Sequence, residues 1–344
     1  MEKKRFRVGV IGCGRISPMH LLSLKNIEDV QLVSVCDIDF PKAVAAGKTY
    51  ETKPYSSYEE MIEQEHLDAV HLCLPHDLHI PTSLFALSHG VNVLSEKPIA
   101  IHAEDALPAI SLAKEKGLQY GVSFQTRFEP SVQLVKRRLE EGKLGRILGV
   151  SSILTWSRSD EYYRDSSWKG TWAHEGGGVL IDQAIHSLDL CRYLIGSKPV
   201  SVSASAHVRG HEQIEVEDVA EGLFTFEDGT RYSFYAMNYF PDDEPIRLTL
   251  ICEKGKAFLS YDDAEIIYSD GSEEQSHQKK DHLFLSGAGK DYWGLCHYDL
   301  IKNFYRALAG VEKLAVPAED ALITQKMVDG VYRSAKLDRP VEIL

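Results

Sequence analysis

A chain of 344 residues with near-average apolar and charged content is long for one core and suits two domains, with no composition that demands disorder. Its formal net charge of −13 argues against nucleic acid or an anionic membrane as the main partner, because both need a basic face. The six cysteines, Cys13, Cys36, Cys73, Cys191, Cys252 and Cys296, lack CxxC spacing, and no run of about 18 apolar residues occurs, so the expectation is a cytoplasmic protein with buried thiols, no membrane partner and no metal.

From the start of the chain, short β-branched runs at Phe6 to Ile11, Gln31 to Cys36, Ala69 to Leu74, Val91 to Leu94 and Gln119 to Ser123 alternate with helical patterns at Met19 to Asn26, Pro41 to Tyr50, Thr82 to His89 and Glu104 to Lys116. Such alternation predicts a doubly wound parallel sheet of the Rossmann type over residues 1–124. The first strand ends in Gly12-Cys13-Gly14-Arg15-Ile16-Ser17, where glycines let the backbone approach a pyrophosphate at a helix N-terminus. Ser17 stands where the dinucleotide fingerprint has Gly or Ala. Asp37 closes the second strand about 25 residues after Gly12, near the spacing of an acid that accepts hydrogen bonds from ribose hydroxyls; a carboxylate there repels a 2′-phosphate and favours NAD over NADP. The lesser alternative is that Asp37 merely starts a turn before Pro41. Lys97, in Ser95-Glu96-Lys97-Pro98, lies just after a strand's carboxyl end, where open parallel sheets bind ligands, although the same peptide elsewhere would be a solvated turn.

Beyond Phe124 the alternation stops. A helix at Pro130 to Glu141 leads to strand patterns at Ile147 to Trp156, Val200 to Val208, Val219 to Phe226, Tyr232 to Tyr239, Arg247 to Cys252 and Ala257 to Tyr261, with Glu227-Asp228-Gly229-Thr230 as a hairpin turn. Further helices are expected at Val179 to Leu194, Tyr298 to Leu308 and Ala318 to Ala335, and a polar loop at Asp270 to Asp281. Residues 125–344 therefore read as a second α/β domain with a large, mainly antiparallel open sheet, and strand runs apolar on both faces suggest that a second copy covers it as a homodimer or homotetramer.

One helix in this half carries the chemistry. After Gly176-Gly177-Gly178, the residues Asp182, His186 and Asp189 fall at i, i+4 and i+7, which at roughly 100° per residue puts them on one face. Apolar side chains fill most other directions, so the stripe is narrow on a buried helix, and a histidine is the natural proton acceptor at neutral pH. Asp189 either holds His186 or pairs structurally.

Gly12-Cys13-Gly14 with His20, Asp37, Pro75 with His79, Glu96-Lys97-Pro98, and the triple glycine with Asp182, His186 and Asp189, taken in this order, resemble the glucose-fructose oxidoreductase, inositol dehydrogenase and MocA (Gfo/Idh/MocA) family. Gln125-x-Arg127 adds to the likeness, while Leu74-Pro75-His76 replaces the family's commoner Thr-Pro-Asn. The resemblance implies a hydride transfer between a secondary alcohol of a sugar, cyclitol or related polyol and NAD(P), with Lys97, Asp182 and His186 as the catalytic trio. It implies cofactor contacts from Gly12, Cys13, Gly14, Arg15, Ile16, Asp37, Leu74, Pro75, His79, Glu96, Lys97 and Gln125. The chemistry assigns His186 as base, Asp182 as the group that orients substrate or raises imidazole basicity, and Lys97 as the cation for the incipient alkoxide.

Arg158, Tyr162, Tyr163, Arg164, Trp168, Lys169 and Trp172 crowd the stretch before the triple glycine. Aromatic faces suit sugar C–H surfaces and guanidinium groups suit carboxylate or phosphate, so Tyr163, Trp168, Trp172 and Arg127 are candidate substrate contacts; a subunit interface would show the same enrichment. Two rival functions are an NAD-dependent glycosidase that oxidises its sugar transiently and a dinucleotide-binding regulator without turnover.

Overall fold

The structure, a computed structural model, describes residues 5–260, 263–277 and 296–344. The chain divides into two compact units, Met1–Gln125 with Lys280–Leu322, and Thr126–Lys279 with Ile323–Leu344.

The first unit runs β1 (Phe6–Ile11), α1 (Ser17–Lys25), β2 (Val30–Cys36), α2 (Phe40–Tyr50), β3 (Lys53–Tyr55), α3 (Tyr58–Glu65), β4 (Ala69–Leu72), α4 (His79–Ser88), β5 (Asn92–Ser95), α5 (Ala103–Lys116) and β6 (Tyr120–Val122). Its strands are all parallel in the order β3-β2-β1-β4-β5-β6, the doubly wound arrangement expected. Val8, Val10, Val70 and Val93 are fully buried, as a sheet covered on both faces requires. β3 and α3 were not expected. β3 is only Lys-Pro-Tyr, and α3 buries just Met61 and Ile62, its start set by Ser57 Oγ accepting from Glu60 N at 3.2 Å.

The second unit begins with α6 (Pro130–Glu140), β7 (Ile147–Thr155), α7 (Asp160–Arg164), a π-helical turn at Leu180–Ala184 and α8 (Ile185–Ile195). It continues with β8 (Pro199–His207), β9 (Val219–Phe226), β10 (Arg231–Met237), β11 (Arg247–Cys252), β12 (Gly255–Ser260), β13 (Asp263–Tyr268) and β14 (Glu273–His277). After α9 (His297–Leu308) and α10 (Ala318–Leu337), β15 (Val341–Glu342) completes a nine-stranded sheet ordered β14-β13-β12-β11-β7-β10-β9-β8-β15. Every neighbouring pair is antiparallel except β7 with β10.

Two expectations need correction. Part of the supposed polar loop at Asp270 to Asp281 is strand β14, which pairs with β13 across a turn closed by Gly271 N on Tyr268 O at 3.0 Å; positions 278–281 lie outside the described residues. A polar edge strand is specified by its partner's hydrogen bonds, so its own side chains give little sign of it. The second correction concerns the domain limits, because α9 belongs to the first unit and not to a continuous 125–344 domain. Its buried face, Leu300, Ile301, Phe304 and Tyr305, gives it a docking side, and it packs on α1.

Polar contacts fix that docking. Tyr305 Oη meets His71 Nε2 at 2.8 Å, His71 Nδ1 meets His20 Nδ1 at 2.8 Å, and His20 Nε2 meets Glu96 Oε1 at 2.9 Å, where His297 Nε2 also arrives at 3.2 Å. One proton assignment satisfies the line with neutral rings: Tyr305 donates to His71, His71 to His20, and His20 to the carboxylate. Burial lowers the pKa of His20 and His71, which agrees with neutral rings. Burial alone would raise Glu96, but the two imidazole donors outweigh it and hold the carboxyl well below the usual range.

Below about pH 6.5 the unfolded chain binds protons that buried His20 and His71 refuse, so folding stability falls as pH drops. The Glu96 contribution stays complete above about pH 4.3 and is lost only toward its depressed folded value. The urea midpoint of the first unit should therefore decline from pH 7 to pH 5, and His71→Gln should flatten the decline; equal slopes in both proteins would contradict the neutral-ring assignment.

Candidate active site

The first unit supplies a dinucleotide cradle. Gly12 has φ +94°, and a Cβ there would strike the Cys73 carbonyl oxygen, so only glycine brings β1 this close to β4. The place of a Gly14 Cβ is open, which leaves backbone accessible at the head of α1. Ser17 is buried, with Oγ donating to Gly14 O at 2.8 Å, so the departure from the fingerprint is a small side chain that closes the same turn. Asp37 accepts Cys13 N on Oδ2 and Asp39 N on Oδ1, each at 2.8 Å. Each oxygen keeps a second lone pair, so the carboxylate both clamps the glycine turn and can accept ribose hydroxyls. Cys13 is half-buried, and burial followed by the Asp37 charge pushes its thiol up to about 12, so it stays neutral. Arg15 is exposed, and Ile16 packs on Met19.

The loops after β4 and β5 meet through His79. Its Nδ1 lies 2.7 Å from Pro98 O and its Nε2 3.0 Å from Leu74 O. His79 is fully buried, and so is nearly all of Glu96. Both were expected at the cofactor; the His79 ring ties the Leu74 and Pro98 carbonyls together, and Glu96 Oε1 meets His20 and His297. Lys97 itself is half-buried. Gln125 is buried, with Oε1 lacking a hydrogen-bond partner among the described residues, an acceptor that a cofactor amide or hydroxyl would satisfy. The cradle, the Asp37 carboxylate and this acceptor fit a dinucleotide. His20, Glu96 and His297 bring possible metal-ligating atoms within 4.8 Å of one another, but the hydrogen bonds between them already account for that spacing.

In the second unit the triple glycine allows two close approaches. A Cβ on Gly177 would overlap the Tyr332 hydroxyl, and one on Gly178 would overlap Glu217 O. Glu217 then receives Gly178 N and Leu180 N at 3.0 Å each, and Tyr332 Oη at 2.9 Å, which ties down the start of the helix. Burial still raises its carboxyl to about 7. The π turn at Leu180–Ala184 contains Asp182, and His186 follows on α8; both are half-buried. Asp182 Oδ2 accepts from Lys169 Nζ at 2.7 Å, Gln183 Nε2 at 2.7 Å and Tyr162 Oη at 2.9 Å. Burial, then the Asp182 charge, pushes Tyr162 up to about 12, so it remains a donor. Burial opposes the charge on Lys169, but Asp182, Tyr162 and Glu175 more than offset it and raise its pKa.

The third residue of the stripe departs from the other two. Asp189 is fully buried and takes a bidentate pair from Arg127, Nε to Oδ2 and Nη2 to Oδ1 at 2.6 Å each, together with Thr324 Oγ1 at 2.8 Å. Burial alone would raise its carboxyl, yet Arg127 leads the groups that lower it. Arg127, expected at the substrate, is buried and its guanidinium meets Asp189. Tyr163, also expected at the substrate, is buried and its hydroxyl accepts from Asn238 Nδ2 at 2.7 Å. Trp168 is half-buried, and Trp172 is 46% exposed with Nε1 donating to Glu215 O at 2.8 Å. Tyr162 and Lys169 carry the contacts to Asp182 that the sequence could not apportion within the aromatic segment. Glu175 and Glu217 escaped notice there, their only signal being acids close to a glycine run.

Residues 6–124 match the profile of an oxidoreductase family with an NAD-binding Rossmann fold, and residues 132–258 match the Gfo/Idh/MocA C-terminal domain. The chain belongs to the Gfo/Idh/MocA oxidoreductase family. It is 29% identical over 205 residues to the inositol 2-dehydrogenase of Rhizobium meliloti, an alignment spanning 59% of this chain and 58% of that one. It is 24% identical over 351 residues to the myo-inositol 2-dehydrogenase of Thermotoga maritima, covering 98% of each. Among solved structures it is similar to the WlbA dehydrogenase of Bordetella pertussis in complex with NADH and UDP-GlcNAcA, with a TM-score of 0.85, 27% identity and 99% of both chains covered.

Removing the Arg127 guanidinium would strand Asp189 as a buried, under-compensated charge. Arg127→Met should cost about 3–5 kcal/mol in urea unfolding. A stable variant that loses only turnover would return Arg127 to the substrate.

Proposed function

We propose that this family member transfers a hydride between a secondary alcohol of a sugar, cyclitol or related polyol and NAD. The observation that carries the reading is the half-buried Asp182/His186 pair on a helix start anchored by Glu217, in a chain whose first unit has the family's NAD-binding fold. NAD, when bound, supplies the hydride acceptor. The Gly12–Gly14 turn and the head of α1 take its pyrophosphate, and Asp37 takes its ribose hydroxyls and repels a 2′-phosphate.

Loss of hydride from a carbinol carbon is easiest as the hydroxyl proton leaves. His186 takes that proton on an imidazole nitrogen. The Lys97 ammonium stabilises the negative charge left on the substrate oxygen. Asp182, its Oδ2 fixed by three donors, is a rigid acceptor that orients a substrate hydroxyl. Because Lys169 already answers its charge, the orienting role is favoured over a boost to His186 basicity.

Among the described residues no helix is long and apolar enough to cross a membrane. Six free cysteines suit a reducing compartment, which supports a cytoplasmic location. On the nine-stranded sheet, Ile153, Tyr235 and Ile251 are 38%, 36% and 47% exposed, and Tyr235 lies beside Ile153, which supports a homodimer or homotetramer through this face.

With NAD and a panel of inositols and neutral hexoses, NADH absorbance should rise, and His186→Ala should lower kcat by about 10² to 10⁴-fold while NADH binding persists. Near-normal turnover in that variant would remove His186 as the base. For the sheet, Ile153→Glu with Tyr235→Glu should shift sedimentation toward the monomer; an unchanged profile would place any interface elsewhere.

A further inference from the structure

Among the described residues, the arginines in and near the aromatic segment meet acids of the same chain. Arg158 meets Asp243 at 3.0 Å, Arg164 meets Glu161 at 2.6 Å, and Arg192 joins Arg127 on Asp189. Lys169 is the cation beside Asp182, at 2.7 Å, and it also meets Glu175 at 3.4 Å. Its Nζ lies 4.4 Å from the Trp168 ring centroid and 4.8 Å from that of Tyr162.

Charge decides what this surface can accept. With both acids ionised, the Lys169, Asp182 and Glu175 group carries one net negative charge; with Glu175 protonated, as burial favours, it carries none. In neither state is it positive. A ligand carboxylate or phosphate arriving here would lose its water and gain no net cation from this group, so to pair with Lys169 it would have to displace Asp182. A neutral polyhydroxylated molecule faces no such cost, since its hydroxyls can donate to a fixed carboxylate and its C–H faces can lie on an aromatic ring.

We infer that Lys169 is an internal counter-ion, occupying the cationic position an acidic ligand would need, so that the surface around Asp182 selects neutral polyols over uronates and phosphorylated sugars. This rests on the polyol reading above and narrows its substrate class. It also reverses the expectation that the basic residues of this segment recruit a carboxylate or phosphate.

The test reads binding without turnover. The full chain saturated with NADH is titrated with matched ligands: glucose against glucuronate, galactose against galacturonate, methyl glucoside against methyl glucuronide, and myo-inositol against its monophosphate. Melting-temperature shifts across each titration give the affinities. At least one neutral member should bind, with its acidic partner weaker by about tenfold or more. Asp182→Asn, which removes the nearer acid from Lys169 and adds one unit of positive charge in either state of Glu175, should narrow that ratio. An acidic ligand binding as tightly as its neutral partner, no neutral ligand binding, or an unchanged ratio in Asp182→Asn would each overturn the inference. If neutral sugars bind as expected but reduce no NAD, the counter-ion stands and the dehydrogenase reading falls.

Discussion

A carboxylate withdrawn from water must be met by donors, and this requirement organises both units of the chain. Asp37 is met by two backbone N–H groups and Glu96 by two imidazoles. Asp182 is met by an ammonium, an amide and a phenol, Asp189 by guanidinium and hydroxyl, and Glu217 by two backbone N–H groups and a phenol. Each acid sits at a strand end or on a helix, so satisfying its charge also fixes a segment that carries function. Asp37 holds the glycine turn, Glu96 precedes Lys97, and Glu217 anchors the helix of Asp182 and His186.

Degree of burial then separates chemistry from architecture among these acids. Asp189 is fully enclosed and saturated by Arg127 and Thr324, so it holds packed elements together. Asp182 is only half-buried, and an ammonium, an amide and a phenol hold it in place, which suits a group that orients a ligand. The π turn beneath it widens the helix where the Glu217 clamp and the glycine approaches converge.

The first unit was legible because its signals are local. A glycine turn, an acid ending the next strand and alternating apolar runs are each written in a few adjacent residues, and the doubly wound parallel class followed from them. β3, β14 and α7 were missed because short or polar elements owe their form to neighbours, not to their own periodicity. α9 was expected as a helix, but nothing in its sequence says which sheet it serves; Tyr305 meeting His71 and His297 meeting Glu96 decide that over long chain separations.

The sequence by itself determined the Rossmann half and the glycine turn with Asp37, and it supplied the groups on which the proposed chemistry draws: Lys97, Asp182, His186 and the aromatic segment. Helical spacing and strand alternation are properties of the backbone, which is why one chain suffices to read them. Only the tertiary structure decided which charges were already spent on one another. Arg127 and Asp189, Lys169 and Asp182, and His79 with the Leu74 and Pro98 carbonyls look in sequence like groups awaiting a ligand. Pairing depends on distances of a few ångströms between residues up to 62 positions apart for Arg127 and Asp189, and no local pattern encodes that separation.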